Sequence, residues 1–250
     1  MSFICRIIIA ALLCAPALLA QEQAATPPVV SVVVPVVGTV DGPNAVRWKT
    51  DVVLINNLPG EAVVSMMLPA TPDQPVVVTT IAPGDRAEFT DVIGQAFGIE
   101  SALSPLIVNT LGRRSITISA TVYAVREEKT LSPQPIAVDY GPSYFPQRAL
   151  DGLSFSDAYR TNLGLANLGE QSAEFVLALQ RLPGRNVAVT HIVVPAATLV
   201  HRPVQELFPL ITKGDAFSIV VETASEQTHV YASVIENATS TAKFVRGVPR

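Results

Sequence analysis

Apolar residues in this chain come as short runs of Val, Ile and Leu mixed with Thr and cut by Pro-Gly pairs. That is the pattern of half-buried strands joined by tight turns. Along Trp48 to Asn56, the residues Trp48, Thr50, Val52 and Leu54 alternate with Lys49 and Asp51. Side chains alternate across a strand, so the first set shares one face, and we assign that aromatic-headed face to the core. The stretch recurs at Tyr159 to Asn167, with Tyr159, Thr161, Leu163 and Leu165 on one face and Arg160 and Asn162 on the other. The two copies lie 111 residues apart (161 − 50). At the same offset Glu61 to Leu68 meets Ser172 to Leu179, and Pro75 to Ile81 meets Asn186 to Ile192. The match continues without a gap to Phe97 and Phe208, so the expectation is one domain written twice.

Turn chemistry fits strands throughout. Leu58-Pro59-Gly60-Glu61, Ala82-Pro83-Gly84-Asp85 and Leu182-Pro183-Gly184-Arg185 each place Pro then Gly at the centre, as type II turns require. A helical turn is expected at Asp91 to Phe97 and again at Pro203 to Phe208, where Pro203 suits a first helical position. Strands are expected at Val29 to Val37, Pro105 to Asn109, Ser115 to Val125, Ala216 to Glu222 and Thr228 to Glu236, with an edge strand at Phe244-Val245. Pro35 and Pro146 also stand at the common offset. About seven short strands per copy is the count of an immunoglobulin-like sandwich. The fold class expected is all-β, two tandem Ig-like antiparallel β-sandwich domains related by internal duplication. Their bounds would be 27–126 and 143–247, with 127–142 as an extended Pro-rich connector (Pro133, Pro135, Gly141, Pro142) that sets the domains end to end.

Residues 1–20 carry a different signal. Arg6, the apolar run Ile7 to Leu13 and the small residues ending at Ala20 form a secretory signal peptide pattern, with Ala25 an alternative cleavage point. That run is short for a membrane span and is broken by Pro16, so no transmembrane segment is expected in the mature chain. Both cysteines, Cys5 and Cys14, fall inside it, leaving the remainder without a thiol or disulfide. The expected location is therefore secreted or periplasmic. The net charge of −4 leaves no basic patch for nucleic acid and no polybasic segment for an anionic membrane.

Candidate chemistry is thin. Gly152-Leu153-Ser154-Phe155-Ser156 begins like a nucleophile elbow, but Ser156 stands where Gly is required. His191 and His201 would lie on neighbouring strands near Glu206, with Thr80 and Thr90 at the matching sites of the first copy; two ligands fall short of what zinc takes. His229 completes the histidines. The scattered Asp41, Asp85, Asp91, Asp151, Asp157 and Asp215 form no calcium loop and suit turns, as do Asn56 and Asn167. Arg113-Arg114 reads as a solvated hairpin tip. No catalytic, cofactor or metal residues are assigned, and no enzyme is expected. Tyr140, Tyr144 and Phe145, beside the connector, are the residues expected to make an interdomain or partner contact.

The repeated unit of aromatic, basic residue, Thr, Asp or Asn, strand and closing Asn resembles that of bacterial secreted proteins built from tandem Ig-like sandwiches. The resemblance implies an extracytoplasmic binding or structural role toward an envelope protein or polysaccharide. A second resemblance is to periplasmic pilus chaperones, which have a signal peptide and two Ig-like domains. It implies partner binding through an exposed strand edge, for which the Val-rich stretch at Val29 is the candidate. Those chaperones use a basic pair in the interdomain cleft, whereas here Lys49 and Arg160 occupy equivalent positions of separate copies. A carbohydrate-binding module is the third reading, with Trp48 and Tyr159 as stacking rings if exposed.

Overall fold

The computed structural model describes residues 29–250 except 72, 74, 112–115, 141–144 and 183–184. The signal-peptide residues, Tyr144, Arg113-Arg114 and the Pro183-Gly184 turn lie outside the described residues. The first half holds β1 (Val29–Gly42), β2 (Val46–Asn56), β3 (Ala62–Met67), β4 (Val77–Ile81), β5 (Arg86–Phe89), α1 (Val92–Phe97), β6 (Ala102–Leu111), β7 (Ile116–Arg126), β8 (Lys129–Ile136) and β9 (Asp139–Tyr140). The second holds β10 (Gln147–Phe155), β11 (Tyr159–Asn167), β12 (Ala173–Leu182), β13 (Arg185–Val194), β14 (Thr198–Pro203), α2 (Val204–Leu207), β15 (Asp215–Glu222), β16 (Thr228–Glu236), β17 (Ala242–Arg246) and β18 (Val248–Pro249). The chain is all-β apart from the two helical turns, and the pairings are antiparallel.

Strand order in the first half runs β4-β3-β6-β1 and β5-β2-β7-β8; the order in the second is β13-β12-β15-β10 and β14-β11-β16-β17. In the first half β1 joins the two sheets, pairing β6 along Val29–Thr39 and β2 at Val40, Asp41 and Gly42. The sheets of each half close on one core, the arrangement of a β-sandwich. Val34, Met66 and Leu106 meet Val52, Leu54 and Ile118 in the first, and Leu150, Leu177 and Ile219 meet Leu163, Leu165 and Val230 in the second. Val92, Ile93 and Phe97 of α1, and Val204 and Phe208 around α2, add to these cores.

Two buried polar devices hold each half together. Thr50 and Thr161 reach across to the facing sheet, where Oγ1 accepts from Gly38 N at 3.1 Å and from Ser154 N at 3.4 Å. Asn56 donates Nδ2 to the carbonyls of Gly60, Ile81 and Ala82 and accepts from Leu58 N. Asn167 does the same with Gln171, Val194, Pro195 and Gly169. These satisfied amides tie the end of one strand to the turn of the other sheet, and the need to satisfy buried backbone explains their burial.

Several expectations change. Ala62 pairs with Ile81 and Ala173 with Val194, so Ile81 answers to Val194 and not to Ile192. The β12–β13 hairpin is two residues longer than its counterpart; a shift of two keeps every side chain on its face, so periodicity could not detect it. The β1 irregularity between Val34 and Val37 answers to that between Leu150 and Leu153, which places Pro35 opposite Asp151 in the comparison and leaves Pro146 ahead of β10. Strand β1 is no free edge, since it is paired with β6, β2 and β9. Half of the stretch expected as an extended connector is β8, paired with β7, where Pro133 and Pro135 are tolerated because an edge strand need not donate on its outer side. Gly84 takes φ +70° as expected, but Gly60 has no positive φ; Asn56 Oδ1 organises that turn instead.

Candidate functional site

The face that β11 and β16 turn away from their own core should be polar, as it is in the first half, where Val53 pairs with Glu88 and Ser119. In the second half the same ladder positions are Gly164, His201 and Tyr231. Strand β16 is consequently buried on both faces: Val230, Ala232 and Val234 fill its core, while His229, Tyr231 and Ile235 are buried on the other side. A Cβ on Gly164 would lie 2.1 Å from the Tyr231 ring, so only glycine lets that ring cross β11. Tyr231 thereby reaches His201, its hydroxyl 2.8 Å from Nδ1, and stacks on Phe244 of β17 with centroids 5.3 Å apart. Burial pushes the Tyr231 hydroxyl far up and pulls His201 down to about 4, so both are neutral near pH 7.

What covers this aromatic row is the first half of the chain. Phe244 packs against the first core. Below it, Asp139 of β9 binds His229 Nδ1 at 2.9 Å and pairs with Arg246. Burial pushes the Asp139 carboxyl up, but the His229 bond and the charges of His229, Arg246 and Arg148 outweigh it and hold the group below the usual carboxylate range. Arg126 adds a bond to Ser240 Oγ at 3.1 Å. The halves are thus joined by a buried ionic clasp, not only by a connector.

Above the clasp the seam leaves a cavity of about 400 Å³. Val36, Val40, Trp48 and Leu103 line it from the first half, and Arg160, His201, Tyr231, Ser233 and Phe244 from the second. Its volume lies in the range of small-molecule sites, roughly 300–1,000 Å³, and an apolar wall with a few polar groups is their usual make-up. Trp48 and Tyr159 correct the expectation that these rings anchor the cores. Trp48 lies half-buried against Gly42 at the cavity, and Tyr159 is 39 % exposed; the buried members of that face begin at Thr50 and Thr161.

Of the residues expected at a contact, Tyr140 is 58 % exposed and Phe145 37 %, and neither lines the cavity. Tyr140 Oη accepts from Ile118 N at 3.4 Å. His191 and His201 fall on different sheets: His191 binds Glu174 at the surface at 2.9 Å, and the ladders match His201 with Glu88 and His191 with Val78, not with threonines. Among the described residues no three His, Cys, Asp or Glu side chains gather as a metal site, and no helix is long and apolar enough to cross a membrane. The seam carried two sequence signals: a glycine in mid-strand at Gly164, and the consecutive apolar residues Val230-Tyr231-Ala232 and Val234-Ile235 where alternation with polar residues was due. In comparisons with protein families, with curated proteins and with solved structures, nothing matches this chain.

Proposed function

We propose that this chain is a non-catalytic binding module of the bacterial cell envelope, secreted or periplasmic, made of two tandem Ig-like sandwiches that arose by duplication. The repeated strand order and the paired Thr and Asn devices support the duplication. The observation that carries the binding reading is the seam cavity of about 400 Å³, walled by both halves and largely apolar. It arises where the second copy has exchanged a polar outer face for Gly164, His201 and Tyr231. Trp48 is the sole tryptophan and stands in that wall, so occupancy should change its emission. The test is a titration of residues 21–250 with small apolar compounds, read by Trp48 fluorescence. Saturable shifts are expected, and no response from any compound would refute a binding seam.

A second reading has its own observation. Strands β4 and β13 lie at sheet edges and expose Val78, Val187, Val189 and Val193. An open edge with exposed valines fits a partner that adds a strand, in the manner of the chaperone resemblance. Envelope extracts passed over the tagged protein would then yield a partner whose retention Val78→Lys and Val189→Lys abolish.

A further inference from the structure

Lys49 and Arg160 occupy the same place in the two halves, yet their surroundings differ in charge. Lys49 Nζ lies 2.9 Å from Asp91 Oδ2. Asp51 stands two residues on, its carboxylate taken by Asp91 N and the Tyr123 hydroxyl, each at 2.8 Å. In the second half the Asp51 position is Asn162, and the strand–helix junction that carried Asp91 is Arg202-Pro203. Arg160 keeps one hydrogen bond, to neutral Asn237 Oδ1 at 2.7 Å, and forms no ion pair among the described residues. It is half-buried at the cavity, and burial lowers its pKa with no opposing charge. A half-buried guanidinium without a counter-ion gives up part of its hydration uncompensated, and the protein takes one of its five N–H donors.

The rest of the wall agrees in sign. Ser233 Oγ is buried without a hydrogen-bond partner. His201 and Tyr231 share one bond, which uses one of their two exchangeable hydrogens and leaves the other to donate. The one carboxylate of the lining, Asp41, sits at the exposed rim and is bound by Arg47 at 3.0 Å. Arg160, the cation without a counter-ion, therefore borders a space whose lining is otherwise mostly apolar, with the neutral Asn162 and Ser233 beside it.

We propose that the seam cavity binds a small amphiphilic carboxylate. Arg160 takes the carboxylate in its planar fork, and the apolar body lies between Tyr231 and Phe244 on one side and Val36 and Leu103 on the other. This rests on the seam being the binding site, and the experiment separates the two ideas. Octanoate and 1-octanol are titrated into residues 21–250 and into the Arg160→Met and Arg160→Lys variants, with Trp48 emission as readout. Octanoate should bind the unmutated chain about tenfold or more tighter than 1-octanol. Arg160→Met should weaken octanoate about ten- to a hundredfold while leaving 1-octanol binding, and hence the cavity, intact; Arg160→Lys should keep most of the affinity. Equal binding of the two probes to the unmutated chain, or octanoate unaffected by Arg160→Met, would overturn the carboxylate assignment and leave the seam reading standing. No saturable response to either probe would overturn both.

Discussion

Gly164→Ala is the perturbation whose consequence the structure defines most closely. The added Cβ would stand 2.1 Å from Cε1 and Cζ of Tyr231, against an ordinary contact of about 3.5 Å or more. Gly164 has no positive φ, so the backbone accepts alanine and the whole cost is steric. The struck atoms belong to a rigid ring that is 1 % exposed, stacked on Phe244 and bonded to His201, so the ring cannot swing aside without leaving both partners. Overpacking costs about 1–3 kcal/mol. Losing a buried hydrogen bond adds about 1 kcal/mol, giving roughly 2–4 kcal/mol in all. With a urea m-value of about 2 kcal/mol/M, the unfolding midpoint should fall by about 1–2 M. In a Tyr231→Ala background the same change should cost less than about 0.5 kcal/mol, so the cycle should give a coupling of about 1.5 kcal/mol or more. A Gly164→Ala cost below about 0.5 kcal/mol, or an equal cost in both backgrounds, would refute the argument.

Three further outcomes follow from the same structure. Asn56→Ala and Asn167→Ala each strand buried carbonyls and should cost about 2–4 kcal/mol in urea unfolding, whereas Asn57→Ala, which loses an exposed bond to Thr117, should stay within about 0.5 kcal/mol. Asp139 is held below its ordinary pKa of 3.8, so its stabilisation is complete above that pH and is lost as pH falls below it. Asp139→Asn should therefore be less stable by about 3 kcal/mol near pH 6, with the gap from the unmutated protein closing toward pH 2; a pH-independent gap in chemical unfolding would contradict this. His201 is pulled from 6.5 down to about 4 by burial, so the unfolded chain takes up a proton that the fold refuses. Stability should then fall from about pH 6.5 toward 4 by at most about 1.4 kcal/mol per unit, and His201→Gln should remove that slope from a series of pH-dependent melts.

Strands and their faces were legible because period-two burial is written directly into Thr50-Val52-Leu54 and Thr161-Leu163-Leu165. Register was less so. A two-residue lengthening of β13 leaves every face unchanged, so Ile81 could be matched with Ile192 as readily as with Val194, and only the ladder and the Asn56 and Asn167 bonds decide. The Pro35–Pro146 match failed for a related reason: the bulged strand pairs through Val34 and Val37, and proline at a bulge marks local geometry, not position in a repeat. Tyr140 and Phe145 were singled out as aromatics beside a connector, but half of that connector is the paired strand β8 and Tyr140 itself lies in β9. The proposed seam draws instead on Gly164, His201 and Tyr231, which stand 37 and 30 residues apart in sequence (201 − 164 and 231 − 201) and meet only through two strand pairings. Position-by-position contrast between the two halves was the usable signal: Val53 against Gly164, Ser119 against Tyr231, and the Lys49–Asp91 pair against an Arg160 with no ion pair among the described residues.

The most direct test of the seam as the binding site is anomalous diffraction from crystals of residues 21–250 soaked in 8-bromooctanoate. One bromine peak is expected inside the cavity, between Phe244 and Leu103, with carboxylate density at Arg160. Bromine in the open groove beside Glu222 and Ser225, or an empty seam at saturating ligand, would contradict it.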